Sequence, residues 1–294
     1  MINVSPEVNK KRRQTMTVRD AIHIFQISQR NLHRKRTTDS YRYLLEYLEN
    51  HFTDSHVEAI TPDHIHQFLE ALTEHAAKST RRLRYAQVKA FFNFLINEKN
   101  HSMKNPCQDS SMVKAFKSPR MKQKDILSKE SVDEIIYRSK KIRDRLILEL
   151  QARCGMRIGE VLNLRVTDIT DRKLMIRQPK SGKDIEVAFM TESIAKRLSE
   201  YVRGCQHDPE SRIFPICYSS ALSMVRKLGE KIGIQIRPHD LRRYSATYAS
   251  RNGIPLEVVS KVLLRHQDLK TTQMYLGKIT DTEAIRWMDV PHGN

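Results

Sequence analysis

Long apolar runs are missing from this 294-residue sequence. No stretch approaches the roughly 20 apolar residues of a membrane-spanning helix, and the first residues lack the pattern of a secretory signal peptide. We therefore expect no membrane partner and predict a cytoplasmic protein.

Cysteine is also scarce. The chain has four cysteines, Cys107, Cys154, Cys205 and Cys217, which lie far apart and form no CxxC pair. Zinc sites and disulfide frameworks usually show closely patterned cysteines. The spacing therefore predicts reduced, structural thiols and no bound metal.

Acidic residues are outnumbered by basic ones. Lysine and arginine number 52 against 34 aspartates and glutamates, which gives a net charge of +18. Such an excess favours a polyanionic partner, and without membrane signals nucleic acid is the leading candidate. The hydrophobic content of 39% allows one large core or two ordinary ones, so two domains are reasonable.

The pattern of charge and hydrophobicity divides the chain into four parts. Residues 1–14, which contain KKRR, predict a basic tail, and residues 15–104 show helical spacing throughout. Residues 105–124 are rich in lysine, arginine, serine and proline, which is typical of a linker. Residues 125–294 predict a second domain of helices around a small sheet, with a short C-terminal tail from about residue 278.

Local signals predict several boundaries in detail. Thr61 followed by Pro62 is a helix start, Ser131 opens a capping-box pattern, and Gly155 can end a helix in the left-handed conformation. Apolar residues alternate on either side of PKSGK over residues 173–189, which predicts a β-hairpin. The predicted fold is therefore mainly α with a small β-hairpin or sheet in the C-terminal domain, an α+β protein.

His239 and Arg242 stand three residues apart in RPHDLRRYSAT, at a predicted helix start. This spacing points both side chains at one spot, and the free N–H groups of a helix start favour an anion there. A surface helix in a basic protein gives the same pattern, so the pair is weak support when taken alone.

Arg157 lies in the turn between two predicted helices, where its guanidinium can project toward a phosphate or can pair with Glu160. Lys180 and Lys183 both lie in the PKSGK turn, and the residues themselves give no reason to choose between them. Exposed lysines in a turn are common.

The stretch LLRHQDLKTTQMYLG places His266 and Tyr275 nine residues apart. A tyrosine at the edge of a core is the ordinary interpretation. A tyrosine that attacks a DNA phosphate needs more, because a phenol has a pKa of about 10. It needs a histidine to take its proton, arginines to stabilise the phosphate, and an acid for the leaving oxygen. Residues of these types occur in the order Arg157, Lys180, His239, Arg242, His266 and Tyr275.

The segments CGMRIGEVLNL, QPKSGKDIEV, PHDLRRYSATYASRNG and LLRHQDLKTTQMY resemble the tyrosine recombinases, the group that contains the lambda-type integrases and the Xer recombinases. The resemblance covers most of residues 125–277 and implies that all six residues are catalytic. It selects Lys180 over Lys183 as the general acid. It also implies a 3′-phosphotyrosyl intermediate and strand exchange through a Holliday junction, with neither ATP nor a metal cofactor. The absence of a P-loop agrees with this. The exchange would serve the resolution, integration or excision of DNA.

The resemblance further implies how the protein meets DNA. The two domains would close as a C-shaped clamp around a double-stranded recombination site, with a dimer on each site and a homotetramer on two sites. Accessory proteins are a further class of partner. The segment beyond residue 278 would dock on a neighbouring protomer or cover the chain's own core. The expected setting is the nucleoid of a prokaryote, with the gene on a chromosome, phage or mobile element.

Two basic stretches of the first domain are candidates for DNA contact, mostly with phosphate. A solvated helix face is the alternative for any one of these side chains. The candidates are Arg34, Lys35, Arg36, Arg42, Lys78, Arg81, Arg82, Arg84 and Lys89.

One residue departs from the resemblance, because Arg265 stands where the family commonly has glycine before the second histidine. We expect its side chain to turn outward or to touch DNA. Two other functions use the same features: a type IB topoisomerase, which shares the tyrosine chemistry, and a DNA-binding regulator without catalysis.

Overall fold

The computed structural model describes residues 16–29, 35–53, 55–99, 103–117, 125–179, 182, 184–205, 208–276, 281 and 285. The chain folds as two compact units, Met1–Met121 and Lys122–Asn294. Among these described residues, every helix is too short or too polar to cross a membrane.

Within the described residues, four helices form the body of the first unit, where the spacing of apolar residues predicted helical structure. They are α1 (Val18–Gln29), α2 (Lys35–His51), α3 (Pro62–Thr73) and α4 (Lys78–Lys99). The predicted cap of α3 is confirmed, since the Thr61 hydroxyl accepts a hydrogen bond from the backbone N–H of His64 at 3.3 Å.

The first unit extends further than the sequence predicted. A 3₁₀ turn (Pro106–Gln108) and α5 (Ser110–Ala115) follow α4. Cys107, Met112 and Phe116 are buried in the core of the first unit. A linker beginning at residue 105 is therefore wrong for residues 105–117, because three apolar side chains among the lysines and serines face that core. The rest of the predicted linker, residues 118–124, lies outside the described residues.

Helices also dominate the second unit. Helix α7 (Ile142–Ala152) lies at its centre and is buried from Leu146 to Ala152, as expected for a helix covered on all sides. A π-helical turn, Val259–Leu263, continues directly from α12 (Leu256–Val258). The helices are α6 (Lys129–Arg138), α7 (Ile142–Ala152), α8 (Ile158–Asn163), α9 (Glu192–Gly204), α10 (Tyr218–Glu230), α11 (Pro238–Arg251), α12 (Leu256–Val258) and α13 (Leu269–Gln273).

A small antiparallel sheet packs on these helices in the order β1-β2-β3. Strands β2 (Lys173–Arg177) and β3 (Ile185–Phe189) form the predicted hairpin. Strand β1 (Ile169–Thr170) was not predicted, because two residues are too few to show alternation. The predicted fold class, mainly helical with one small sheet, is confirmed.

The alternating apolar residues of β3 lie on its exposed face. Ile185 and Phe189 are 56% and 49% exposed, while Glu186 and Ala188 are buried. The register pairs Glu186 with Ile176 of β2, so a carboxylate points to the side where apolar residues normally pack.

The start of α6 also differs from the sequence prediction. The cap is Ser128, whose hydroxyl accepts a hydrogen bond from the backbone N–H of Ser131 at 3.1 Å. Ser131 therefore lies inside the first turn and supplies one of the N–H groups that need a cap.

Gly155 ends the turn after α7 with a φ of +62°, as predicted. A Cβ added there would lie 3.0 Å from both the Cγ atom and the carbonyl oxygen of Leu263. We expect Gly155→Ala to lower the free energy of unfolding by about 1–3 kcal/mol, because it combines backbone strain with a backbone contact. Urea denaturation followed by circular dichroism measures this loss.

Gly159→Ala is the matched control. It lies within α8, and an added Cβ would have no neighbour within 4 Å. Alanine has the higher helix propensity, so this control should be neutral or slightly stabilising. Equal stability of the two variants would contradict the account of the turn at Gly155.

Candidate active site

The Arg242 side chain is fully buried, with no exposed surface. It projects from the first turns of α11 and donates hydrogen bonds to the carbonyl oxygens of Gly155 and Leu264. Its second terminal nitrogen also lies 3.3 Å from Nε2 of His266. Burial lowers the pKa of Arg242, and neighbouring guanidiniums lower it further. The helix thus presents a fixed guanidinium between two loops.

Arg157 precedes α8 and is oriented by Glu160. The Glu160 carboxylate accepts the Arg157 backbone N–H at 2.9 Å and its Nη1–H at 2.6 Å. The same carboxylate lies 4.0 Å from Nη1 of Arg242. Burial alone would raise the pKa of Glu160, but Arg265 and Arg157 together outweigh it and lower the pKa. The pairing with Glu160 therefore holds Arg157 beside Arg242.

His266 is buried, and both of its ring nitrogens have neighbours. Thr272 donates its hydroxyl hydrogen to Ser260 at 2.8 Å, so its oxygen accepts from Nδ1–H of His266 at 2.9 Å. Nε2 then carries the lone pair that faces Arg242. Burial, followed by the charges of Arg242 and Arg157, lowers the pKa of His266 to about 4. The imidazole is therefore neutral near pH 7.

Tyr275 follows α13 and lies beside both histidines of its own chain. Its ring centroid is 4.8 Å from that of His266 and 5.0 Å from that of His239, with edge-to-face geometry in both pairs. Thr247 donates a hydrogen bond to the Tyr275 carbonyl at 3.2 Å, and the Tyr275 N–H donates to the Thr272 carbonyl at 2.8 Å. The ring also packs against a small apolar cluster. It is thus both a core-edge residue and a neighbour of the two histidines.

His239 lies at the exposed edge of this group, in the first turn of α11. Partial burial lowers the pKa of the His239 imidazole, and the positive charge of Arg242 lowers it further. No ring nitrogen of His239 has a hydrogen-bond partner among the residues that the structure describes. A neutral ring with an accessible nitrogen can accept a proton.

Five of the six residues that the sequence selected therefore lie together in the second unit. They come from the start of α8, the start of α11 and the segment that ends at Tyr275. Lys180 lies outside the described residues, as does Lys183, so the choice of general acid stays a prediction.

Arg265 does not turn outward, and that prediction is wrong. Its side chain is 4% exposed, and Nη2 donates to Glu160 at 2.7 Å. Its Nε lies 3.6 Å from the carboxylate of Glu186, and Nη1 donates to the Leu263 carbonyl at 2.8 Å. Two buried carboxylates thus draw the guanidinium inward. The backbone has a φ of +53°, the conformation in which glycine is favoured.

Sequence reasoning missed three residues of this site, Glu186, Ser260 and Thr272. Glu160 was considered as a partner of Arg157, but its contacts with Arg242 and Arg265 were not predicted. Glu186 is the one charged residue of β3, IEVAF, and this was the one available signal. The contacts of Ser260 and Thr272 with the second histidine leave no local pattern.

The candidates for DNA contact in the first unit have varied surroundings. Arg84 donates to the Ser40 carbonyl at 2.8 Å and lies 4.5 Å from the centroid of the Tyr43 ring. It therefore connects helices α2 and α4. Arg81 approaches Glu70 at 3.6 Å, within ion-pair distance.

The other candidates fall into three groups. Lys78 is exposed, as is Arg42, which also pairs with Asp39 at 3.3 Å. Lys89 is half-buried, and the half-buried Arg82 lies 5.1 Å from the ring centroid of Tyr85. Arg34 and the side chains of Lys35 and Arg36 lie outside the described residues.

Comparison with known proteins matches both units. The model of the phage integrase family matches residues 125–280, more than half of the chain, and that of the phage integrase N-terminal SAM-like domain matches residues 26–99.

Two relatives and one solved structure show sequence identities of 30% or less with this chain. A tyrosine recombinase of Pseudothermotoga lettingae is 28% identical over 260 residues, which cover 84% of this chain and 87% of the relative. The tyrosine recombinase XerA of Saccharolobus solfataricus is 30% identical over 167 residues, which cover 55% of this chain and 56% of that relative. The crystal structure of a lambda integrase tetramer bound to a Holliday junction has a similar fold, with a TM-score of 0.71 and 17% identity over 91% of this chain and 80% of that one.

Proposed function

Because the chain belongs to the phage integrase family and is a tyrosine site-specific recombinase, we propose that Tyr275 is the nucleophile that attacks a DNA phosphate. The observation that carries this assignment is the position of the Tyr275 ring between His239 and His266, beside the buried Arg242.

The first step forms a bond between the Tyr275 oxygen and phosphorus and breaks the bond from phosphorus to the 5′ oxygen. His239 takes the phenol proton, since its imidazole is accessible while both nitrogens of His266 are occupied. The 5′ oxygen leaves as a hydroxyl with a proton from Lys180. A 5′ hydroxyl of a second strand then attacks the phosphotyrosyl bond and reverses these transfers. Each exchange replaces one ester with another.

The two guanidiniums stabilise the phosphate as negative charge grows on its non-bridging oxygens. Arg157 and Arg242 are already oriented before DNA arrives, Arg157 by Glu160 and Arg242 by two backbone carbonyls. Pre-oriented donors need little reorganisation during the reaction, which is why such groups are effective. His266 supports this arrangement by lying against the Arg242 guanidinium.

Each chain supplies its own tyrosine in this proposal, because Tyr275 contacts the histidines of the same chain. A dimer would bind each recombination site and a homotetramer would join two sites through a Holliday junction. The similarity to the lambda integrase tetramer supports this assembly. Double-stranded DNA would be the partner, in association with the nucleoid, and the DNA-contact candidates of the first unit would bind phosphates.

The proposal is tested with a nicked duplex. A binding sequence is first selected by the native chain from a pool of random duplexes. A nick is then placed in this duplex close to the cleavage site, so that cleavage releases a short strand that diffuses away and cannot be rejoined. Incubation in EDTA without ATP should give a protein–DNA adduct that survives a denaturing gel. Tight binding without an adduct would favour a DNA-binding regulator. Relaxation of supercoiled plasmids that lack paired sites would favour a topoisomerase.

A further inference from the structure

Arg265 shares the carboxylate of Glu160 with Arg157, and its second carboxylate neighbour is Glu186. Neither Arg265 nor Glu186 belongs to the proposed catalytic set. We propose that they form a charge-balancing pair in which Arg265 is a positioning residue: by sharing the charge of Glu160 and Glu186, it leaves Arg157 and Arg242 able to bind an incoming phosphate. This inference rests on the proposed function of the same site.

Glu186 occupies a position where a carboxylate is unfavourable. Its side chain is 7% exposed, on the inner face of β3 opposite Ile176. Buried carboxylates are normally paired, because desolvation penalises an isolated charge. The nearest cationic nitrogen of the described residues is Nε of Arg265, at 3.6 Å from Oε2. Neither of these two atoms has a hydrogen-bond partner within the described part of the chain.

Arg265 also contacts the carboxylate that orients Arg157. Its Nη2 donates to Oε2 of Glu160 at 2.7 Å, while Oε1 of Glu160 accepts from Arg157 at 2.6 Å. The charges therefore alternate from Glu186 through Arg265 and Glu160 to Arg157. This chain of contacts connects strand β3, the segment that carries His266, and the start of α8.

The net charge of this group explains what Arg265 does. Three guanidiniums face two carboxylates, which leaves one positive charge for an incoming phosphate. Without Arg265, two arginines would face two carboxylates, and the group would have no net charge. Glu160, no longer shared with Arg265, would then compete with the phosphate for Arg157 and Arg242. The unpaired charge of the buried Glu186 would add to the negative potential at the site.

The backbone gives independent support. A φ of +53° is unfavourable for arginine and easy for glycine. The side chain must therefore contribute enough to offset the strain of its own backbone, and the two buried carboxylates are the contacts through which it does so.

The test compares native protein with Arg265→Gly, Arg265→Lys and the double variant Arg265→Gly with Glu186→Gln. Single-turnover adduct formation on the selected nicked duplex is measured at saturating protein, and DNA affinity is measured separately by gel shift. Circular dichroism verifies that each variant is folded. The double variant is the matched control, because it restores the net positive charge while glycine suits the backbone.

Arg265→Gly should slow adduct formation roughly 10- to 100-fold with little change in affinity, because the arginines are misplaced rather than removed. The double variant should recover to within about threefold of native, and Arg265→Lys should keep most of the native rate. If Arg265→Gly does not fold, the double variant still provides the test. A double variant that is folded but forms the adduct slowly would refute the charge-balancing pair.

Two results would overturn the inference alone: a native rate for Arg265→Gly, or a double variant that is folded but stays slow. A native protein that binds the duplex and forms no adduct would instead refute the proposed function, and this inference with it. The two failures are therefore distinguishable in one experiment.

Discussion

Tyr275→Phe is expected to abolish covalent attachment to DNA while leaving DNA affinity within about threefold of native. The loss of adduct formation should be at least about 10⁴-fold, the scale seen when a catalytic nucleophile is removed. Only the hydroxyl is lost, and the phenyl ring can keep its edge-to-face contacts with His239 and His266. The nicked duplex and a denaturing gel measure the adduct, and a gel shift measures the affinity.

Tyr137→Phe provides the control for this prediction. Tyr137 lies on α6 and is 81% exposed, outside the group of histidines and arginines. Loss of its hydroxyl should leave both binding and adduct formation near native. Adduct formation by Tyr275→Phe at a tenth of the native rate or more would mean that another group attacks the phosphate.

Arg242→Lys should weaken both catalysis and folding. The arginine spans the carbonyl oxygens of Gly155 and Leu264, and a single ammonium group cannot occupy the same two positions. We expect adduct formation to fall about 10²- to 10³-fold. The free energy of unfolding should fall by about 2–4 kcal/mol, because buried carbonyls lose their donors.

Urea denaturation and single-turnover cleavage, both well below the unfolding temperature, separate the two effects. Arg203→Lys is the control, since Arg203 lies exposed in the last turn of α9. That change should alter the free energy of unfolding by less than about 0.5 kcal/mol. A fully stable Arg242→Lys protein would contradict the role of Arg242 in joining the two loops.

Local signals were enough to predict most of the fold. The helix start at Thr61, the left-handed Gly155 and the hairpin over residues 173–189 each depend on neighbours in sequence, and each is present. The extent of the first unit was not predictable in the same way. Phe116 stacks on Tyr85 with 5.2 Å between ring centroids, and such a contact between distant residues leaves no local pattern.

The candidate site also combines residues that the sequence could predict with contacts that it could not. The residue types that phosphate attack requires, together with the resemblance to the tyrosine recombinases, selected Arg157, Arg242 and Tyr275 without coordinates. The pairing of Arg265 with Glu186 could not, because the two residues come from separate elements and meet only when β3 packs beside the π-helical turn. The family's usual glycine marked Arg265 as unusual, but the direction of its side chain depends on two distant carboxylates.

The most direct measurement identifies the protein atom that is joined to DNA. The adduct formed by the native chain on the nicked duplex is digested with protease and nuclease, and the modified peptide is sequenced by mass spectrometry. The account predicts a nucleotide attached through its 3′ phosphate to Tyr275, together with a free 5′ hydroxyl that a kinase labels without prior phosphatase treatment. Attachment to another residue, or through a 5′ phosphate, would contradict it.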